Sequence, residues 1–150
     1  MSDLTHAMTE TPPRLTLRCQ FCDTWNRIDA DRASDRPKCG SCGRPILLDR
    51  PWILTADSFD RTIAETDVPV LVDFYADWCG PCRALAPVID RVAKAYMGRV
   101  RVAKLDIDAS SKLTSAYDIR SIPTLVVFKN GRAVARIVGG ASPAQRERGE

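Results

Sequence analysis

The residues best suited to chemistry in this chain are its six cysteines, which form three C-x2-C pairs. The pairs are Cys19 with Cys22, Cys39 with Cys42, and Cys79 with Cys82. Two thiols at this spacing can close a disulfide ring, and two such pairs together can hold one metal ion. The surroundings of each pair therefore decide between a redox-active dithiol and a thiolate metal centre.

The pair formed by Cys79 and Cys82 follows a predicted strand and opens a predicted helix. The run Val70–Tyr75 is almost continuously apolar, as in a strand buried on both faces, and a helical pattern covers residues 79–97. Free amides and the dipole at a helix N-terminus favour a thiolate, which is the nucleophile that attacks disulfides. We expect Cys79 to be the exposed attacker and Cys82 the shielded resolving thiol. A structural disulfide and half of a metal site are the alternatives.

The other four cysteines have the spacing C-x2-C-x16-C-x2-C, which is typical of a zinc site. Zn²⁺ favours four thiolates in a tetrahedron, so the predicted ligands are Cys19, Cys22, Cys39 and Cys42. Glycines beside the second pair suit a tight knuckle with unusual backbone angles. Two disulfides, an iron–sulfur cluster or a more loosely held metal are the alternatives for this set.

Residues 15–50, which contain these four cysteines, are predicted to form a small zinc ribbon. Short β-like runs lie at Arg14–Arg18, 24–28 and 46–48, with few apolar residues among them. A module of about 36 residues cannot bury enough surface to fold alone, so zinc would supply folding energy. The linker at 49–51 is short, and we expect the module to pack against the next one.

Residues 51–150 show alternating strand and helix patterns, which predict an α/β domain with helices on both faces of a mixed sheet. Strands are predicted at Trp52–Leu54, Val70–Tyr75, 100–107, 124–128 and 133–138. Helices are predicted from Asp57 or Ser58 to Glu65, over 79–97, and from Ser110 or Ser111 to Tyr117. Asn130-Gly131 between the last two strands is a strong hairpin signal.

The long helix over 79–97 has its own sequence signature. Leu85, Val88, Ile89 and Val92 are spaced for one buried stripe. Pro87 lies inside the pattern and is expected to bend the helix, because proline removes an amide donor and crowds the preceding turn.

Composition and charge narrow the class of protein. Apolar residues make up 45% of the 150 residues, which is enough for a core, and the formal net charge is only +3. With no long basic run, nothing points to a nucleic-acid partner. No stretch of about 18 apolar residues predicts a membrane span. Residues 1–14, interpreted as a disordered tail, lack the pattern of a secretory signal, so we expect a reducing cytoplasmic location, where paired cysteines favour metal or redox chemistry.

The segment Trp78-Cys79-Gly80-Pro81-Cys82 resembles the active site of the thioredoxin family. The resemblance extends across most of residues 52–140, through DFYADWCGPC, VAKLDID, SIPTLVVFKNG and a final VGG. It implies the thioredoxin fold and a redox-active disulfide between the two cysteines. With the four-cysteine module included, the chain is similar over about 15–141 to the zinc-ribbon-containing bacterial thioredoxins of the thioredoxin 2 type.

The same resemblance implies roles for two charged residues. Asp73 matches an aspartate buried behind the resolving cysteine, where it assists deprotonation. Desolvation of such a carboxyl raises its pKa and suits a general base. Lys104 matches the lysine that pairs with this carboxylate. Tyr75 stands where many members have a second tryptophan, which we expect to alter local packing but not the chemistry.

The resemblance also implies a substrate-docking surface. Pro123 matches the cis-proline beside the cysteines, and the backbone of Ile122 would hydrogen-bond an extended substrate strand. Trp78, Gly139 and Gly140 match residues of an apolar docking rim.

The C-terminal end departs from the thioredoxin pattern. The ten residues after Gly140, ASPAQRERGE, contain no Leu, Ile, Val or Phe. They cannot form the amphipathic helix that covers one face of the sheet, so that helix is expected to be short or missing. The face is then bare, covered by the small module, or covered by another chain, and a bare face would favour self-association.

We expect a cytosolic dithiol reductase that acts on protein disulfides. The resemblance implies recharging by an NADPH-dependent thioredoxin reductase. An oxidase or isomerase is disfavoured by Gly80 and Pro81 between the cysteines. Two rivals would use the fold as a scaffold: a zinc-ribbon module that binds a protein or nucleic acid, and a redox-regulated chaperone. The zinc itself is either structural or a redox switch that oxidation releases.

Overall fold

The computed structural model describes residues 12–141, and their side chains as far as residue 139. The predicted disordered tail lies outside the described residues as far as residue 11, and so does the C-terminal stretch 142–150. Arg14, which we assigned to the end of the tail, begins the first strand.

The N-terminal module is built on a two-stranded antiparallel sheet. Strands β1 (Arg14–Arg18) and β2 (Trp25–Asp29) pair along their whole lengths. A 3₁₀ helix (Ala30–Asp35) follows them. Two of the β-like runs are thus strands, with the second displaced by one residue at each end.

The predicted strand at 46–48 is wrong. Only an isolated bridge between Lys38 and Pro45 forms in this region. Proline has no amide hydrogen to donate, so Pro37 and Pro45 cannot extend a ladder here. The apolar residues of the run are used for packing instead, because Ile46 and Leu48 are both buried.

The second module contains a five-stranded mixed sheet. Its strands are β3 (Trp52–Leu54), β4 (Val70–Tyr75), β5 (Arg101–Asp106), β6 (Ile122–Lys129) and β7 (Arg132–Ala141). They lie in the order β3-β5-β4-β6-β7, with β4 parallel to β5 and antiparallel to β6. This order puts β4 at the centre, where its neighbours cover both edges.

Three α-helices and a second 3₁₀ helix connect the strands. They are α1 (Ala56–Glu65), α2 (Gly80–Ala95), the 3₁₀ helix Ile107–Ala109, and α3 (Ser111–Ala116). On one face, the ring of Phe59 from α1 packs against Phe74 and Phe128. On the other face, Ile89 of α2 packs with Val102 of β5. The predicted mixed sheet with helices on both faces is therefore confirmed.

Local side-chain and backbone interactions determine where α1 begins and where the chain turns between β6 and β7. Thr55, rather than the predicted Asp57 or Ser58, caps α1: its hydroxyl accepts from the Ser58 amide, and the Thr55 amide donates to Ser58 Oγ. The hairpin at Asn130-Gly131 is confirmed, with φ of 54° and 81° at the two residues.

The buried stripe of α2 is narrower than predicted. Ile89 and Ala93 are buried, Leu85 and Val92 are half-buried, and Val88 is 39% exposed. Successive residues are about 100° apart around a helix axis, so Val88 points away from the sheet that Ile89 faces.

The two modules pack against each other, as the short linker indicates. In β1, the Thr16 amide donates to Thr66 Oγ1 at 3.0 Å, and the Thr16 hydroxyl donates to the Glu65 carbonyl at 2.8 Å. The Arg61 guanidinium lies 4.5 Å from the ring centre of Trp25. One buried cluster runs through both modules.

Strand β7 forms an edge of the larger sheet and carries exposed apolar side chains. Val134, Ile137 and Val138 are 61%, 65% and 57% exposed. Self-association through this surface stays a prediction. In the described part of the chain, no helix has the length and apolar character that crossing a membrane requires.

Candidate redox and metal sites

The redox pair lies at the N-terminus of α2. Cys79 is the N-cap residue, and a disulfide joins it to Cys82 with the Cα atoms 5.2 Å apart. The Cys82 amide donates a hydrogen bond to Cys79 Sγ at 3.1 Å. Pro81 occupies the first turn, where a missing amide costs no helical hydrogen bond. These amides and the helix dipole would stabilise a thiolate on Cys79 in the reduced protein.

Both sulfurs are covered in the disulfide form, which corrects the prediction of an exposed Cys79. Cys79 is 0% and Cys82 5% exposed. Cys79 Sγ lies 3.8 Å from the carbonyl oxygen of Ile122, so the start of β6 covers the sulfur. A molecule that reaches Cys79 must therefore contact this strand start.

The strand start is shaped by a cis peptide bond between Ile122 and Pro123. Gly139 of β7 lies directly against Pro123, and a Cβ built on it would be 2.6 Å from Pro123 Cδ. Beside the cysteines, Trp78 Nε1 donates to Asp108 Oδ2 at 2.8 Å. The structure thus brings Trp78, Ile122, Pro123 and Gly139 together around the disulfide, although their docking role stays a prediction.

Asp73 lies on the central strand β4, in the buried position that the resemblance implies. Its side chain is 1% exposed, and Oδ1 has no hydrogen-bond partner among residues 12–141. Burial raises the pKa of Asp73 to about 6, and the charge of Lys104 acts in the opposite direction. A buried carboxyl with a pKa near neutrality can exchange a proton at physiological pH.

Lys104 is the in-register partner of Asp73 on β5. Its ammonium lies 4.4 Å from the ring centre of Tyr75, and among the described ion pairs none joins it to Asp73. Lys104 and Asp73 are therefore neighbours on adjacent strands, as the resemblance implied. The implied ion pair between them is replaced by a contact of the Lys104 ammonium with the Tyr75 ring.

The four N-terminal cysteines converge on one point. Their sulfur atoms all lie within 4.8 Å of one another, with 3.7 Å from Cys19 to Cys42 and 3.6 Å from Cys22 to Cys39. Tetrahedral zinc with Zn–S bonds of ~2.3 Å requires sulfurs about 3.8 Å apart. The donor set and its spacing therefore fit a four-thiolate zinc ion.

Each cysteine pair sits in a knuckle with the same hydrogen bonds. The amides of Phe21 and Ser41 donate to Cys19 Sγ and Cys39 Sγ, both at 3.4 Å. The residue after each second cysteine is left-handed, with φ of 63° at Asp23 and 75° at Gly43. The unusual backbone angle expected of a glycine in the second knuckle therefore occurs at Gly43. In the first knuckle, Asp23 adopts the same left-handed conformation.

Asn26 is a site residue that the sequence reasoning missed. Its side-chain amide donates to Cys39 Sγ at 3.4 Å and accepts from the Gly40 amide at 2.9 Å. The backbone amide of residue 42 and the Asn26 side chain together lower the pKa of Cys39 to about 6. Asn26 lies on β2, while Cys39 and Gly40 lie 13 and 14 residues further along the chain, so the contact depends on tertiary packing and no local pattern could have revealed it.

Comparisons with known protein families agree with both sites. The thioredoxin family profile matches residues 50–147. A second profile, described as the N-terminal part of thioredoxin 2, matches residues 18–44. The first match covers more than half of the chain, and the second covers all four cysteines of the candidate metal centre.

Individual relatives lead to the same family. Thioredoxin C-3 of Corynebacterium nephridii is 40% identical over 121 residues, which are 81% of this chain and 83% of that protein. Thioredoxin 1 of a Nostoc species is 49% identical over 86 residues, or 57% of this chain and 80% of that protein.

Solved structures share the fold. A point mutant of Halobacterium salinarum thioredoxin has a TM-score of 0.57 at 38% identity, over 67% of this chain and 88% of that one. Spinach chloroplast thioredoxin f has a TM-score of 0.58 at 30% identity, over 61% and 77%. The disulfide at the helix N-terminus, the fold around it and these matches together place the chain in the thioredoxin family of thiol–disulfide oxidoreductases.

Proposed function

We propose that this protein reduces disulfides of other proteins by dithiol exchange through its CGPC segment. The observation that carries the proposal is the Cys79–Cys82 disulfide at the start of α2, where the Cys82 amide donates to Cys79 Sγ. A reversible dithiol at a helix N-terminus stabilises the attacking thiolate and keeps the second sulfur within bonding reach.

The reaction begins with the reduced protein. The Cys79 thiolate attacks one sulfur of the client disulfide, forms a mixed disulfide, and expels the other client sulfur as a thiolate, which takes up a proton. Cys82 then loses its proton and attacks Cys79 Sγ, which releases the second client thiol. Overall, two thiols of this protein become the Cys79–Cys82 disulfide, while one client disulfide becomes two thiols.

Asp73 is proposed as the base for the second step. Its carboxylate would take the Cys82 proton, since a thiolate is needed at Cys82 only once the mixed disulfide has formed. The pKa of about 6, raised mainly by burial, suits a base that is ionised at neutral pH and still able to hold a proton. Lys104 would tune this base by its charge.

An extended strand of the client is proposed to dock beside the disulfide. The Ile122 backbone would pair with it, and Trp78, Gly80, Pro123 and Gly139 would form the surrounding surface. The closeness of the Ile122 carbonyl to Cys79 Sγ, 3.8 Å, supports this site, because a paired client would lie directly over the sulfur.

For the N-terminal cysteines we propose one structural Zn²⁺, held by Cys19, Cys22, Cys39 and Cys42. The amide hydrogen bonds to sulfur in both knuckles support thiolate ligands. The ion would supply the folding energy that the small module lacks. The alternative, a redox switch, predicts that peroxide releases zinc before Cys79 and Cys82 lose activity; retention of zinc until that point supports the structural role.

The electron source is proposed to be an NADPH-dependent thioredoxin reductase, and the reducing cytosol is the proposed compartment. In a reducing environment, cysteine pairs of this spacing more often bind metal or exchange with disulfides than form structural bridges, and the convergence of four of the six cysteines fits that use.

The decisive experiment is insulin reduction by the zinc-loaded full chain, with NADPH and thioredoxin reductase as the electron source. Turnover should vanish in Cys79→Ser. In Cys82→Ser, turnover should also vanish, but a mixed disulfide with the client should accumulate and be visible by mass spectrometry. If the wild type is folded and zinc-bound yet shows no turnover, the reductase proposal is wrong, and a binding role centred on the ribbon becomes the leading alternative.

A further inference from the structure

The side chains of Asp73, Tyr75 and Lys104 meet on the face of the sheet that α2 covers. Asp73 and Tyr75 are two residues apart on β4 and so point to the same face. Asp73 is in register with Lys104 on β5, and Tyr75 is in register with Asp106. Lys104 therefore has both a carboxyl group and an aromatic ring as neighbours on β4, and its ammonium lies 4.4 Å from the ring centre.

We propose that Tyr75 is a positioning residue for proton transfer at Cys82. Its ring holds the Lys104 ammonium beside Asp73, close enough for the positive charge to act on the carboxyl group and yet outside an ion pair. This inference rests on the reductase function proposed above, and it assigns to Tyr75 a role in the chemistry that the sequence did not predict.

The contact with the ring is physically favoured over an ion pair. Asp73 is fully buried, so an ammonium that paired with it would lose most of its water, and that cost offsets the attraction. Lys104 and Tyr75 are only half-buried. Over the ring face the ammonium keeps part of its hydration and gains the attraction of the ring quadrupole.

The charges around these groups are few enough to identify. The in-register neighbours of Asp73 are Lys104 on β5 and the apolar Leu125 on β6. Burial, and then the carboxylates of Asp106, Asp77 and Asp73, raise the pKa of the Tyr75 hydroxyl. The groove on the open side of Lys104 is also lined by Asp49, Arg50, Asp90, Arg91 and Lys94.

The position of the ammonium decides how strong a base Asp73 is. An ion pair would hold the carboxyl ionised at low pH and weaken it as a base, whereas loss of the charge would leave burial unopposed and raise the pKa of the carboxyl further. A cation held at intermediate range gives a group that both ionises near neutrality and accepts a proton.

The test is a double-mutant cycle that combines Tyr75→Leu and Lys104→Met. The primary measurement is the pH titration of the Asp73 carboxyl carbon by NMR in the oxidised protein, which requires no activity. Each single variant should raise the titration midpoint by about half a pH unit, because the charge is lost or moves into the groove. The double variant should shift no further than Lys104→Met alone. Tyr75→Phe, which keeps the ring, should stay close to the wild type.

A kinetic measurement links the titration to the reaction. In stopped-flow reduction of a model client, the pH profile of the resolution step should move upward with the NMR midpoint in Tyr75→Leu and recover in Tyr75→Phe. In the wild type, the ε-methylene protons of Lys104 should be shifted upfield by the ring current of Tyr75, a readout that needs no variant to fold.

Several outcomes would overturn the proposal. They are an unshifted or lowered midpoint in Tyr75→Leu, an equal further shift when Tyr75→Leu is added to Lys104→Met, or unshifted Lys104 protons. The second result would mean that Tyr75 acts by packing alone. If the NMR shifts are as expected but wild-type protein reduces no insulin, the reductase function fails while the Tyr75–Lys104 relationship stands.

Discussion

Gly139 lies so close to Pro123 that the two residues leave no room for a side chain between them. A Cβ on Gly139 would be 2.6 Å from both Cδ and the carbonyl oxygen of Pro123. Atoms this close must move apart. The atoms of Pro123 that the added Cβ would meet belong to the proline ring and the backbone, so they cannot rotate out of the way. The edge strand β7 therefore fixes the position of the strand start that covers Cys79.

We predict that Gly139→Ala pushes Pro123 away from the disulfide. Overpacking of this kind costs about 1–3 kcal/mol of stability, measured by urea unfolding. Insulin reduction should fall together with stability, because the displaced strand start no longer aligns a client over Cys79. Ala135→Ser, at an exposed position of the same strand, is the control and should change stability by less than about 0.5 kcal/mol. Equal stability and equal insulin reduction in the two variants would contradict the close contact between Gly139 and Pro123.

The second prediction concerns pH and Asp73. Its pKa rises from 3.8 to about 6 on folding, mainly through burial, so between these values the folded protein binds more protons than the unfolded chain. Stability should therefore fall as pH rises through this window, by about 3 kcal/mol in total, and stay constant above it. In Asp73→Asn this dependence should disappear.

The measurement is the difference in unfolding free energy between oxidised wild type and Asp73→Asn from pH 4 to pH 7. As pH rises, the unfolding free energy of Asp73→Asn should increase relative to that of the wild type. A difference that is independent of pH would show that Asp73 has an ordinary pKa in the folded state.

The third prediction concerns the metal centre. Asn26→Ala removes a hydrogen bond to Cys39 Sγ, which should raise the pKa of that thiol and let protons compete better for it. Loss of such an outer partner typically costs 10–100-fold in metal affinity. Competition with a chromophoric chelator measures the zinc affinity, and the deficit should shrink as pH rises. Ser34→Ala, exposed and remote from the sulfurs, should bind zinc like the wild type.

The fourth prediction compares two buried threonines one helical turn apart. Thr66→Val leaves the Thr16 amide without its acceptor, and a buried unpaired donor costs about 1–3 kcal/mol. Thr62 Oγ1 is buried and has no partner within the described chain, so Thr62→Val should be neutral or stabilising. Urea unfolding of both variants measures the difference. Similar destabilisation by both would mean that the Thr16–Thr66 bonds do not hold the ribbon in place.

Several elements could be predicted because their signals are local. Val70–Tyr75 is apolar except for Asp73, Asn130-Gly131 favours positive φ, and each cysteine pair carries its own spacing. Where a local signal was ambiguous, the predicted strand was absent or its bounds were shifted. The apolar run at 46–48 has the pattern of a strand, but only an isolated bridge between Lys38 and Pro45 forms there, because Pro37 and Pro45 have no amide hydrogen to donate to a longer ladder.

The sequence by itself determined the family, the three cysteine pairs and the order of strands and helices, since these depend on residue type, spacing and periodicity over short stretches. Only the tertiary structure decided the burial of Cys79, the contact of Lys104 with Tyr75 and the bond from Asn26 to Cys39. Each depends on strand register or on the packing of segments far apart in the chain. Such contacts come from the balance of burial, hydration and space across the whole fold, which no local pattern contains.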